Sequence, residues 1–139
     1  MTAAGYVLGV DPGERRIGLA LADLETSFAR PLEVVDVRTG DPVERVVALV
    51  EEMGVVRVVV GRPTGLSGAP GPAVEAQQEL VRRLTEDLAV PVEEYDERLT
   101  TVIAEQGLRA SGAGRRARKE NRDAVAAQVM LQGYLDARR

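Results

Sequence analysis

The feature that most constrains the fold is Arg57–Val60, which belongs to a continuous β-branched run. Such a strand offers no polar face to water, so it fits only where both faces of a sheet are covered. Four other segments read as strands: Tyr6–Asp11 and Ile17–Asp23, joined closely enough to form a hairpin, then Glu33–Val37 and Val90–Tyr95. Helices fill the gaps. Asp41 caps one that opens at Pro42, runs to about Met53 and stops at Gly54. A second runs from about Ala73 to Leu88, a third covers Thr100–Arg109, and Asn121 caps a last one ending near Ala137. The Gly/Pro-rich stretch from Gly61 to Pro72 and the Gly/Arg-rich stretch Ser111–Arg118 read as loops. The order predicts an α/β fold with a five-stranded mixed sheet, antiparallel first and parallel later, flanked by helices. With 139 residues and no repeat or linker, residues 1–139 are expected to form one domain.

Composition removes whole classes of chemistry. The chain has no cysteine and no histidine, so disulfides, thiolate metal sites, a cysteine nucleophile and the commonest general base are all excluded. Any metal chemistry must use oxygen ligands, which suit Mg²⁺ or Mn²⁺. The net charge of −4 gives no global field for nucleic acid, but Arg109, Arg115, Arg116, Arg118, Lys119 and Arg122 crowd one stretch. No apolar run approaches the ~20 residues that span a bilayer, and Met1–Gly5 lacks the pattern of a signal peptide. A cytoplasmic location without membrane contact is the expectation.

Ligands of open α/β sheets gather outside the carboxyl ends of the parallel strands. Phosphodiester cleavage by two metals needs several carboxylates converging there on ions ~4 Å apart. Three candidates stand out. Asp11 ends the first strand, although Asp before Pro-Gly is also a turn signal. Glu97 follows the last strand in Glu93-Glu94-Tyr95-Asp96-Glu97, where a solvated acidic end is the plainer reading and Asp96 competes for the role. Asp123 would sit in the first turn of the final helix, where a carboxylate also complements the helix dipole. Phosphate contacts would come from Arg15 and Arg16 beside Asp11, from Arg62 at the head of the Gly/Pro loop, and from Arg115, Arg116, Arg118 and Lys119; each of these also reads as solvated surface charge. Exposed aromatic pairs for base stacking are lacking, which favours recognition by backbone and shape.

Four elements occur in order: Gly9-Val10-Asp11-Pro12-Gly13 with Arg15-Arg16-Ile17-Gly18, Gly61-Arg62-Pro63, Asp96-Glu97-Arg98-Leu99-Thr100-Thr101, and Asp123-Ala124-Val125-Ala126-Ala127-Gln128-Val129-Met130-Leu131-Gln132. Together they resemble the YqgF/RuvX-type proteins, the pre-16S rRNA nucleases also described as Holliday junction resolvases by likeness to RuvC. The resemblance covers essentially the whole chain. It implies a ribonuclease H-like fold, an acidic triad of Asp11, Glu97 and Asp123 binding divalent metal, and maturation of the 5′ end of 16S rRNA in ribosome biogenesis. It places Arg98 and Thr101 beside the site and matches Lys119 to a position often basic in the family. Arg122 stands where an apolar residue is usual, and Ser67 where an acid is expected.

The expected function is therefore a metal-dependent nuclease acting on precursor 16S rRNA, with a ribosomal particle as a further partner. Its runner-up is resolution of branched DNA, and either a monomer or a weak homodimer is compatible with the sequence. A pure binding module has no need of three converging carboxylates. Asp-x-Gly before a second strand also occurs in actin-like ATPases and sugar kinases, but those need two such domains around a cleft.

Overall fold

The computed structural model describes residues 5–62, 71–96 and 115–138, the last segment with side chains from Asp123 onward. Its strands are β1 (Tyr6–Asp11), β2 (Arg16–Asp23), β3 (Phe28–Asp36), β4 (Val55–Arg62) and β5 (Val92–Asp96). Its helices are α1 (Pro42–Met53), α2 (Pro72–Asp87) and α3 (Arg115–Ala137). One sheet holds all five strands in the order β3-β2-β1-β4-β5. β1–β2 and β2–β3 pair antiparallel, while β1–β4 and β4–β5 pair parallel, so the mixed sheet is as expected.

The valine-rich strand β4 lies between β1 and β5, and its side chains feed two separate cores. Val58 and Val60 join Leu8, Val10, Leu19 and Leu21 under α1 and α2, where Val43, Val46, Leu80 and Leu84 close the layer. Val59 points the other way, with Val7, Ala20 and Ala22, against Ala127, Met130, Leu131 and Tyr134 of α3. Among the described residues, a single long helix thus covers one face and a helix pair covers the other. Burying Met130 and Leu131 alone contributes about 1.5–3 kcal/mol each.

The ends of α1 follow the local rules. The Asp41 side chain accepts from Val43 N at 3.2 Å, and Gly54 closes the helix in the left-handed region at φ 66°. The other end of the sheet is managed by α3. At the edge strand β3, Gln132 accepts from Ala29 N at 2.9 Å and donates to Ser27 O at 2.8 Å, while Gln128 donates to Ala29 O at 3.1 Å. Two glutamines of the helix thus stand in for a missing strand, and the edge cannot pair with another chain there.

Several boundaries differ from the sequence reading: β2 starts at Arg16 rather than Ile17, β5 is Val92–Asp96 rather than Val90–Tyr95, and three further shifts bear on the site. β3 begins at Phe28 rather than Glu33, because pairing with β2 continues past a register shift between Leu19 and Ala20 as far as Asp23 opposite Phe28. β4 runs on through Gly61 and Arg62, which pair with Tyr95 and Asp96, so neither residue belongs to the loop. α3 begins at Arg115, so Asn121 lies inside the helix rather than at its start, and residues 115–118 are helix rather than loop. Arg115–Glu120 is built of straight-chain residues and alanine, all strong helix formers, and this outweighs the isolated Asn signal. The expected helix Thr100–Arg109 and the core of the Gly/Pro loop lie outside the described residues. Among the described residues, no helix is long and apolar enough to cross a membrane.

Candidate active site

Asp11 is the last residue of β1 and is half-buried. Val7 lies in the core under α3, and Gly9 meets Leu131 of that helix, so strand alternation puts Asp11 on the α3 face as well. The Pro12-Gly13 turn that follows is tight: a Cβ on Gly13 would lie 2.5 Å from the carbonyl oxygen of Arg16. The register partner of Asp11 is Gly18 of β2, and partners in an antiparallel pair have Cα atoms about 4.5–5.5 Å apart.

Gly18 is the point on which the site is built. A Cβ there would lie 1.9 Å from the backbone oxygen of Asp123 and 3.1 Å from Ala124 N. The backbone of α3 therefore rests directly on β2 at this residue. The small side chains of Ala20 and Ala22 continue the same face of the strand, and Ala124 and Ala127 answer them from the helix. Two carboxylates from opposite ends of the chain are thereby brought to one corner of the sheet. Asp123 also holds an ion pair: its Oδ2 lies 3.0 Å from Nε of Arg16, which shares the α3 face with Gly18.

One bland reading of Asp123 falls here. The helix begins at Arg115, so Asp123 is in its third turn and not its first, and the dipole effect is spent within the first turn. The basic residues Arg115, Arg116, Arg118 and Lys119 occupy the two turns before it. At 1.5 Å of rise per residue they lie within about 12 Å along the axis from Asp123. The part of the expected basic cluster from Arg115 to Arg122 is thus helical and leads toward the acidic corner, while Arg109 lies outside the described residues.

The last strand sorts its acidic residues by face. Glu94 accepts from Nε2 of the buried Gln77 in α2 at 3.1 Å. Tyr95 packs on the other side, edge-on to Tyr134 of α3 with centroids 6.0 Å apart. Asp96 shares the side of Glu94, away from Asp11, and so does its register partner Arg62. The structure does not bring Asp96 or Arg62 to the Asp11 face. Glu97, Arg98 and Thr101 lie outside the described residues. Arg15 is exposed in the turn, with its carbonyl accepting from Val37 N at 2.9 Å.

Among the described residues, no group of three acidic side chains forms a metal site. Asp11 and Asp123 supply two hard oxygen donors at one corner, a donor set that fits Mg²⁺ or Mn²⁺ and needs at least one further carboxylate. Farther along α3, Tyr134 donates to Glu93 at 3.0 Å and accepts from Arg57 at 3.1 Å, and burial pushes its phenol above the usual value. This network locks the helix to β4 and β5. On the opposite face, a cavity of about 510 Å³ lies between the Pro12-Gly13 turn and α2, lined by Ile17, Leu80 and Arg83 among others.

Sequence reasoning missed Gly18 and the Arg16–Asp123 pair. The signal was available: Gly18, Ala20 and Ala22 form a period-two stripe of small residues inside a strand, which marks a close backbone approach.

Comparison with known proteins places the chain by family and fold. The family model described as "RuvX: Holliday junction resolvase" matches residues 5–137. A Chloroflexus aggregans protein named "Putative pre-16S rRNA nuclease" is 49% identical, with 96% of this chain and 94% of that protein covered. Proteins of the same name from Corynebacterium glutamicum and Geobacillus kaustophilus are 41% and 38% identical, covering 96% and 95% of this chain and 80% and 98% of theirs. The structure of Thermus thermophilus RuvC in complex with a Holliday junction substrate superposes with a TM-score of 0.61 at 23% identity, covering 96% of this chain and 95% of that one. That likeness identifies the fold as ribonuclease H-like, as expected from the sequence. A family model matching residues 5–137, with a relative 49% identical over 96% of this chain, means that this chain belongs to the RuvX family.

Proposed function

We propose that this RuvX-family chain is a divalent-metal-dependent nuclease that matures the 5′ end of precursor 16S rRNA in the cytoplasm. The observation that carries the reading is the convergence of Asp11 and Asp123 over Gly18. Two carboxylates from distant positions, drawn together by a helix that lies on a glycine, suit cation binding better than they suit stability. The names of the relatives supply the substrate class. Asp11, Glu97 and Asp123 would hold Mg²⁺ or Mn²⁺, with Glu97 assigned by family resemblance and favoured over Asp96 by the face on which Asp96 lies. The bound ions would supply an activated water and neutralise charge on the scissile phosphate. Arg15, Arg16 and the basic turns of α3 would hold the flanking phosphates, and Arg98 and Thr101 would orient Glu97 or the substrate.

The test is cleavage of an RNA spanning the 5′ junction of precursor 16S rRNA, with Mn²⁺ or Mg²⁺. The Asp11→Asn protein should lose about 10³-fold or more of the rate, equivalent to roughly 4 kcal/mol of transition-state stabilisation, with its circular dichroism unchanged. Normal cleavage by a folded Asp11→Asn protein would sink the triad. If the substrate is recognised within a ribosomal particle, the same loss will appear only with that particle.

The family description favours a second reading, resolution of four-way DNA junctions. Symmetric cuts need two sites related by a two-fold axis. Sedimentation at micromolar protein, with and without junction DNA, separates the two: a dimer on the junction supports resolution, and a strict monomer excludes it.

A further inference from the structure

We propose that Arg16 is a positioning residue that holds Asp123 in the metal-free protein and turns to a substrate phosphate once Asp123 engages a cation. The proposal rests on the metal-centre reading above and deepens it. Arg16 stands at the start of β2, two residues before Gly18 and on the same face, so the strand itself aims it at the corner where Asp11 and Asp123 meet. Its Nε lies 3.0 Å from Oδ2 of Asp123, an oxygen that would ligate a cation. The guanidinium and a divalent ion would thus compete for one carboxylate. The contact uses one of five N–H donors, so the same fork can take a phosphate oxygen without moving its backbone.

The pair is suited to exchange. The two side chains are 44% and 30% exposed, so water screens their attraction and makes it reversible. The neighbouring Arg15 does not share this geometry, since it lies in the turn. Arg16 therefore has a task beyond adding positive charge: it keeps Asp123 oriented and neutralised until the centre is loaded, and it then delivers a cation to the substrate at the same corner.

Two measurements test this. The first is calorimetric titration of Mn²⁺ without nucleic acid into the wild type, Arg16→Gln, Arg16→Lys and, as a control for net charge, Arg30→Gln on the exposed side of β3. Removing the competitor should tighten Mn²⁺ binding about two- to fivefold in Arg16→Gln, less in Arg16→Lys, and leave Arg30→Gln near the wild type. The second is fluorescence anisotropy of a single-stranded RNA oligonucleotide over a range of KCl, without divalent ion and with Ca²⁺. One phosphate contact contributes about 0.7 to the slope of log affinity against log salt. Arg16→Gln should lose that amount with Ca²⁺ present and nothing without it. A merely structural role for Arg16 would weaken Mn²⁺ binding on substitution, and equal or weaker binding in Arg16→Gln overturns the latch. A slope reduced equally with and without Ca²⁺ overturns it too. Absence of saturable Mn²⁺ binding in the wild type would remove the metal centre and the latch together, whereas Mn²⁺ binding with no rise in Arg16→Gln removes the latch alone.

Discussion

One methyl group is enough to test how the acidic corner is held together. Gly18→Ala would place a Cβ against the backbone of Asp123, where no side chain can swing aside. Either α3 lifts or β2 bends, and overpacking of this kind costs about 3 kcal/mol or more. A drop in Tm of ~10 °C or more is expected for a chain of this size. Because the same displacement separates Asp11 from Asp123, Mn²⁺ affinity should fall with it. A variant that melts within ~2 °C of the wild type would show that helix and strand are not in contact at this residue. Asp11 was visible in the sequence because a strand, a carboxylate and a Pro-Gly turn are contiguous. Asp123 was a weaker candidate in the sequence, since a place in the first turn of a helix explained it equally well, and the fold puts it in the third turn instead.

At the level of elements, α3 does two jobs with one surface. Its small residues allow it to lie on β2, and its glutamines close the edge of β3. Gln132→Ala removes the partners of Ala29 N and Ser27 O, a loss of about 1–2 kcal/mol. Gln78→Ala, on the exposed face of α2, should change stability by less than ~0.5 kcal/mol, although the helix-propensity gain is the same in both. Thermal unfolding of the two variants makes the comparison, and equal Tm values would mean that water replaces Gln132 at the sheet edge. The two glutamines belong to the motif that carried the family resemblance. Their structural task explains why such a motif extends well past the acidic residue that opens it.

Across the whole molecule, ion pairs tie the peripheral elements together. Arg45 of α1 bonds Glu33 of β3 at 2.7 Å, and Arg83 of α2 bonds Asp41 at the head of α1 at 2.9 Å. Arg45 and Arg83 hold those carboxyls below their ordinary values, mainly through the hydrogen bonds they donate, and Arg38 draws Asp36 down to about 2. A carboxylate with a depressed native pKa stabilises the fold above its unfolded value and loses that contribution as pH falls through the native one. The unfolded values are 4.5 for Glu and 3.8 for Asp. With no histidine in the chain, no side chain of ordinary pKa titrates between pH 5 and 8. Tm should therefore be level from pH 8 to 5 and decline from about pH 4.5 toward 2. Arg83→Met should lower the plateau and make the acid limb shallower, because Asp41 then has less to lose. A limb as steep as that of the wild type in melts from pH 2 to 8 would show that the Asp41 pair plays no part.

Sequence alone determined what depends on neighbours along the chain. The strand Tyr6–Asp11, the helix from Pro42 to Met53 with its Asp41 and Gly54 ends, and the both-faces-buried valine strand are all local consequences of periodicity, capping and turn chemistry. The absence of histidine and cysteine likewise settled that any metal ligands here are oxygens. Tertiary structure decided what depends on which face a residue takes and what lies across from it. Only the register of β1 against β2 puts Asp11 beside Gly18, and only the docking of α3 brings Asp123 and Arg16 to 3.0 Å. Spacing left Asp96 and Glu97 undivided; the pleat of β5 puts Asp96 on the face of Glu94, away from Asp11, and Glu97 lies outside the described residues. A two-residue period says which residues share a face, but not which face the rest of the chain will cover.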